Sequence, residues 1–150
     1  MTRPFALLSA ALATLTMGCA TTAQPPRLGV ATPATLQQCS ELASAFGFAS
    51  TRLSAATLEP AGRLSHAGQP VGEHCRVTGK MNERISPVDG QAYAIGFEMR
   101  LPRDWNGRFL YQGNGGTDGV VVTADGGSSL GSGGLLRNAL QMGFAVISSD

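Results

Sequence analysis

Charge is scarce in this sequence. Lys, Arg, Asp and Glu make up 14% of its 150 residues, against about 25% in an ordinary soluble domain. What charge there is nearly cancels, leaving a net charge of +1. No cluster of Lys and Arg occurs, which argues against nucleic acid as a partner, because phosphate backbones are held by grouped cations. Long apolar runs are lacking too. Phe5 to Met17 is apolar but falls short of the roughly 20 residues that a membrane-crossing helix needs. Histidine is limited to His66 and His74, and cysteine to Cys19, Cys39 and Cys75. Glycine runs the other way, with 20 residues, about twice its usual share. These features describe a loop-rich, neutral, enzyme-like surface on a chain long enough for one domain.

The first 23 residues read as an export signal, with Arg3 as the positive start and Phe5 to Met17 as the apolar stretch. Two processing outcomes compete. Leu15-Thr16-Met17-Gly18 before Cys19 resembles a bacterial lipobox, which would lipidate Cys19 and anchor the protein to a membrane, although Thr16 stands where an aliphatic residue is usual. Ordinary cleavage near Ala20 or Ala23 is the alternative. Residues 24–34, with Pro25, Pro26 and Pro33, read as a flexible tether. Either route leads to an exported protein: periplasmic, outer-membrane-anchored or secreted. Removing the signal leaves Cys39 and Cys75 as a single pair for an oxidising compartment, the alternative being two unpaired buried thiols.

From residue 35 onward the periodicities spell out an order of elements. Leu36, Cys39, Leu42, Ala43 and Phe46 share one face of a predicted helix over 35–46, stopped by Gly47. Residues 49–72 read mostly as loop, with 51–58 open to an extended reading. Strands are expected at 75–81, at 93–101 and at 108–112, with turns at Ser86 to Gly90 and Pro102 to Gly107. In the second strand Tyr93, Ile95, Phe97, Met99 and Leu101 alternate, the mark of a half-buried strand. A glycine loop follows at Gly113 to Gly119 and runs on as a small-residue segment. The pattern then predicts a helix at 134–142 capped by Gly143 and a buried parallel-type strand at 144–148. Strand, strand, strand, glycine loop, helix, strand is the opening of an α/β-hydrolase sheet, so 35–150 is expected to be the amino-terminal part of an α/β catalytic domain. The order breaks off at Asp150, with the last strand expected to lack a neighbour, as in a truncated domain.

A glycine loop lets backbone amides approach a substrate closely enough to stabilise a developing oxyanion. In α/β hydrolases the loop after the third strand supplies one such amide. Anion binding is a competing use, but no Gly-Lys-Ser/Thr follows and the glycine spacing does not fit a dinucleotide site. A plain surface loop is the third reading.

Several runs, in their order, narrow the choice: His74-Cys75-Arg76-Val77-Thr78-Gly79, Tyr93 to Pro102, Trp105-Asn106-Gly107-Arg108-Phe109, Gln112-Gly113-Asn114-Gly115-Gly116, and Ala139 to Asp150. Over about Cys39 to Asp150 the sequence resembles the tannase and feruloyl esterase family. The resemblance implies an α/β-hydrolase domain with an inserted lid, which often holds calcium, and hydrolysis of aromatic carboxylic esters such as gallates or ferulates. It implies a Ser-His-Asp triad beyond Asp150, so no catalytic residue is expected within these residues and the 150-residue chain alone is expected to be inactive. Gly116, with Gly115 beside it, matches the oxyanion-loop position, and Cys39 with Cys75 matches an amino-terminal disulfide. The competing functions are a non-catalytic exported lipoprotein or binding module, and a glycine-loop anion binder.

Other residues have plainer readings. His74 is expected to be a surface or packing residue, His66 solvated, Ser148 and Ser149 ordinary strand-end serines, and Trp105 a packing residue. Asp150, at the carboxyl end of a parallel strand, is expected to line a pocket rather than act as a triad acid.

Overall fold

The computed structural model describes residues 29–114, 119–127 and 136–150. Its centre is a five-stranded mixed sheet in the order β2-β5-β6-β9-β8. The strands are β2 (Thr51–Glu59), β5 (His74–Ile85), β6 (Ala92–Pro102), β8 (Phe109–Gln112) and β9 (Ala145–Ser149). β2, β5, β6 and β9 pair antiparallel in turn, and β8 joins β9 in parallel. Smaller pairings among the described residues are β1 (Ala34–Thr35) with β7 (Asp104–Trp105), and the hairpin of β3 (Ser65–His66) with β4 (Gln69–Pro70). A mostly strand, mixed sheet of this kind is consistent with the α/β class.

Register decides what each face carries. Opposed residues on antiparallel strands point the same way, so Cys75, Val77, Phe97, Met99 and Leu101 share one face. There Cys39, Cys75 and Val77 form a buried cluster, with Leu36, Leu42, Leu53 and Met99 packed on it. The other face carries Leu110 and Val146, covered by Val71, Ala124, Ala139 and Leu140. From Phe97 onward β6 is therefore covered on both faces, which corrects the half-buried expectation there, while Ala92 and Tyr93 at its start are exposed. Arg100, on the polar side of its alternation, is only 8% exposed.

The expected helix over 35–46 shrinks to α1 (Leu42–Ala45). Tertiary pairing wins over periodicity here: Ala34 and Thr35 pair with Trp105 and Asp104, the Leu36 amide donates to the Arg103 carbonyl at 2.8 Å, and Cys39 is tied to Cys75. The loop expected over 49–72 holds β2 and the β3–β4 hairpin. β2 has weak alternation of its own and takes its form from β5, to which it is bonded along its length. Of the helix expected at 134–142, the described residues show a single 3-10 turn, Leu140–Met142. Asn138 and Gln141 explain part of this: Asn138 Oδ1 accepts the Gln141 amide at 2.8 Å and Gln141 Oε1 accepts the Asn138 amide at 3.0 Å, a capping box that starts the turn at Asn138. The expectation that the last strand lacks a neighbour fails as well. β9 lies between β6 and β8, and among the described residues β8 is at one edge of the sheet and β2 at the other.

The turn between β7 and β8 is held by its own side chains. Asn106 donates from Nδ2 to the Met142 carbonyl at 2.8 Å, and its Oδ1 accepts from the Arg108 amide at 2.8 Å. The Trp105 indole donates to the Arg108 carbonyl at 2.7 Å and so helps to hold the turn. Gly107 has φ +81°, and a Cβ there would stand 2.6 Å from the Thr32 backbone nitrogen. This turn thus fastens residues near Thr32 on one side and the start of β9 on the other.

Candidate active site

The glycine loop leaves the sheet at the carboxyl end of β8, beside the carboxyl end of its parallel neighbour β9. Sites in open α/β sheets gather at such ends, because the loops there diverge and leave a crevice. Asn114, two residues past β8, ties the loop down: its Nδ2 donates to the Ser148 Oγ at 2.9 Å and to the Ser149 carbonyl at 2.6 Å. Its Oδ1 is buried and has no partner among the described residues. Ser148 is fully buried, and the hydroxyls of Ser149 and Tyr111 lie 3.1 Å apart. Both serines serve as strand-end hydrogen-bonding groups, as expected. Asp150 turns back to β6, accepting the Gly96 amide on Oδ1 at 2.9 Å. Beside it opens a cleft of about 570 Å³ lined by Lys80, Arg84, Tyr93 and Gly96, so Asp150 does line a pocket.

Where the loop returns, side chains of the sheet grip its backbone. Gln112, nearly buried at the end of β8, donates from Nε2 to the Thr123 carbonyl at 3.1 Å and accepts the Gly126 amide on Oε1 at 2.8 Å. Glu98 Oε1 accepts the Ala124 amide at 3.1 Å and Arg100 Nε at 2.7 Å. Arg100 Nη1 lies 2.7 Å from His74 Nε2, and His74 Nδ1 lies 2.8 Å from the Gly72 carbonyl. A guanidinium can only donate, so Nε2 is the bare acceptor and Nδ1 carries the proton that goes to Gly72. Burial favours this neutral form and holds the His74 imidazole below its ordinary pKa.

His74 is thus a packing residue, as expected, with both ring nitrogens engaged and no free face to act as a base. His66 departs from its expectation: it is half-buried rather than solvated, with its ring Nδ1 3.2 Å from where a Cβ on Gly127 would sit. Gly115, Gly116 and Cys19 lie outside the described residues. Cys39 and Cys75 are joined as a disulfide. Among the described residues no group of three or more His, Cys, Asp or Glu could hold a metal ion, and the calcium expected in the lid concerns residues beyond Asp150.

Sequence reading missed Glu98, Arg100 and Gln112. Glu98 and Arg100 fell on the side of β6 taken as solvent-facing, and a charged pair two residues apart in a strand was the only signal of them. It also passed over Gly127-Ser128-Ser129-Leu130-Gly131, which has the Gly-x-Ser-x-Gly spacing of a nucleophile turn. Ser128 to Gly131 lie outside the described residues, and the described stretch leading into them, 119–127, is not a strand. The motif needs a strand before it.

A family model for "Tannase and feruloyl esterase" matches residues 75–150. The chain belongs to the tannase and feruloyl esterase family. Mono(2-hydroxyethyl) terephthalate hydrolase of Piscinibacter sakaiensis is 37% identical over 102 residues, covering 68% of this chain and 16% of that protein. An uncharacterized esterase of Agrobacterium fabrum is 34% identical over 79 residues, covering 53% of this chain and 13% of its own length. A crystal structure of an esterase from Aspergillus oryzae superposes with a TM-score of 0.53 at 25% identity, over 74% of this chain and 21% of that one. The chain therefore spans about a sixth or less of the curated relatives it matches. Within this tannase-family chain, the matched residues 75–150 hold β5, β6, the Trp105–Arg108 turn, β8 and β9, along with the loop they anchor.

Proposed function

We propose that the protein carrying this chain is an exported hydrolase of aromatic carboxylic esters, gallates, ferulates or similar, and that residues 35–150 form the leading part of its α/β-hydrolase domain. The reaction is assigned a Ser-His-Asp mechanism with the triad beyond Asp150. A serine Oγ attacks the ester carbonyl as the histidine takes its proton, the alcohol leaves with that proton, and water then releases the acid. Gly116, with Gly115 beside it, offers a backbone amide to the oxyanion formed at each attack. On this reading the 150 residues alone hydrolyse nothing, since they supply only part of the oxyanion hole. Residues 1–23 serve as the export signal and 24–34 as a tether, with Cys19 as the lipid-bearing residue if the signal is of the lipoprotein kind.

The observation that carries the reading is the departure of the glycine loop from the carboxyl end of β8 beside β9, with Asn114 fixing its first residues to the ends of both serine-bearing positions of β9. Membership of an esterase family supports it, as does the disulfide, which suits an oxidising compartment. Replacing Gly116 by Val in the full-length protein tests it. Turnover on methyl gallate, methyl ferulate or a p-nitrophenyl ester should fall by about 10² to 10³, the usual loss for one oxyanion donor, with circular dichroism unchanged. A folded variant with undiminished turnover would rule out this role for Gly116.

A further inference from the structure

Residues 123–126 follow the glycine loop and belong to no helix or strand, yet Ala124 is completely buried. Buried backbone outside regular structure must find its hydrogen bonds elsewhere, and here the sheet provides them. Gln112 takes the Thr123 carbonyl and the Gly126 amide, and the Leu140 amide donates to the Asp125 carbonyl at 3.1 Å. The Ala124 amide goes to Glu98. For that one bond a neutral acceptor would suffice, and an ionised pair is expensive to bury.

The chain instead places a carboxylate beside Arg100, with their side chains 13% and 10% exposed, and backs Arg100 with a fully buried, neutral His74. Each member limits the next. Gly72 fixes the His74 tautomer, His74 fixes one arm of the Arg100 guanidinium, and Arg100 fixes the carboxylate that receives the Ala124 amide. The 2.7 Å bond between Arg100 and Glu98 is of the short, charge-assisted kind, roughly twice as strong as a neutral one. Such a chain is a device for holding one backbone amide at one point.

We propose that Glu98, clamped by Arg100 and His74, is a positioning residue that fixes the returning limb of the glycine loop, residues 123–126, against the sheet and thereby sets the loop for turnover. The effect on turnover rests on the esterase reading above; the anchoring of the limb does not. Glu98 touches no substrate and acts only through the backbone it holds. Because Gln112 binds the same limb from β8, the two strands on either side of β9 jointly define its place.

The test uses the full-length protein with Glu98→Ala, Glu98→Gln and Arg100→Gln, read by hydrogen exchange over 119–127 and by kcat and KM. Glu98→Ala should lower protection of the Ala124 amide at least about tenfold and lower kcat by up to about 10², with KM little changed. Glu98→Gln keeps an acceptor for that amide, so it should recover most of the protection and hold kcat within about tenfold of wild type. Arg100→Gln, which frees the carboxylate without removing it, should loosen 119–127 and lower kcat, and it serves as the decisive variant if Glu98→Ala does not fold. Unaltered exchange over 119–127 in the folded variants would overturn the anchoring. Altered exchange with wild-type kcat would overturn the role in turnover. A wild-type protein with no esterase turnover would instead sink the esterase reading, and exchange alone would then decide the anchoring.

Discussion

Cutting the Cys39–Cys75 bridge should cost this protein a large part of its stability. The cysteines are 36 residues apart in sequence, and the chain-entropy relation for a loop of that size gives about 13 cal/mol/K, or about 3.8 kcal/mol at 25 °C. Packing adds to this, since Cys75 is fully buried and Cys39 nearly so, at the centre of the cluster that includes Leu36, Leu42, Leu53 and Met99. A domain has about 5 to 15 kcal/mol in total, so the loss is decisive for a weak one and severe for a strong one. The segment at stake is the one that runs from β1 through α1, because among the described residues it has few backbone bonds to the sheet. Urea unfolding of Cys39→Ala/Cys75→Ala against wild type, followed by circular dichroism and by the fluorescence of Trp105, the one tryptophan, would measure it. With a slope of about 2 kcal/mol/M the midpoint should fall by roughly 2 M. Mass mapping without reductant should show the two peptides linked in wild type. A midpoint shift below about 0.5 M at equal slope would refute the claim that this loop restrains the unfolded chain.

Two further outcomes follow from the geometry. Gly107→Ala should destabilise by roughly 2 kcal/mol or more, because the site combines φ +81° with the Thr32 backbone 2.6 Å from the new Cβ; a thermal midpoint equal to wild type would contradict the docking of Thr32 on that turn. His74 should make stability fall in acid. Burial is the largest influence on its pKa and lowers it; the bond to Gly72 and the nearby Glu59 and Glu98 raise it, Arg100 lowers it, and the net shift is downward. The unfolded chain, at about 6.5, therefore binds the proton first as pH drops, so this contribution is fully present above about pH 6.5 and is lost as pH falls through the folded pKa. Urea midpoints from pH 7.5 to 5 should drop less in His74→Gln, which does not titrate, and an equal drop in both would refute the assignment.

How far the sequence reveals this protein depends on which force shapes each part. β5, β6, β8 and β9 were legible because each carries its own signal, alternation in β6 and a short apolar run in β9, and each was expected within a few residues of where it lies. α1 was overestimated because Leu36, Cys39 and Leu42 do share a face, but that face is met by β5 and by the Asp104–Trp105 strand before a helix can gather them. β2 was left mostly as loop because its order comes from β5. The site divides the same way. The place of the glycine loop could be read from the order of elements, whereas its anchors could not. Glu98 is brought to Ala124, and Arg100 to His74, by strand register and by a loop folding back over the sheet, neither of which leaves a mark in local composition.

The insertion of β9 between β6 and β8 has a consequence for how the chain folds during synthesis. Residues 51–102 can form their antiparallel meander as soon as they emerge, because each strand follows its neighbour. β8 cannot. Its proper partner begins at Ala145, and the roughly 30 residues between them take about 2 to 6 s to make at about 5 to 20 residues per second. In the finished sheet the edge of β6 belongs to β9, so Phe109-Leu110-Tyr111-Gln112 has no partner of its own until β9 is made. A β8 that paired with β6 early would have to be displaced before the parallel pair could form, so this arrangement has a built-in pause that a chaperone, or slow translation across residues 113–144, would be expected to influence.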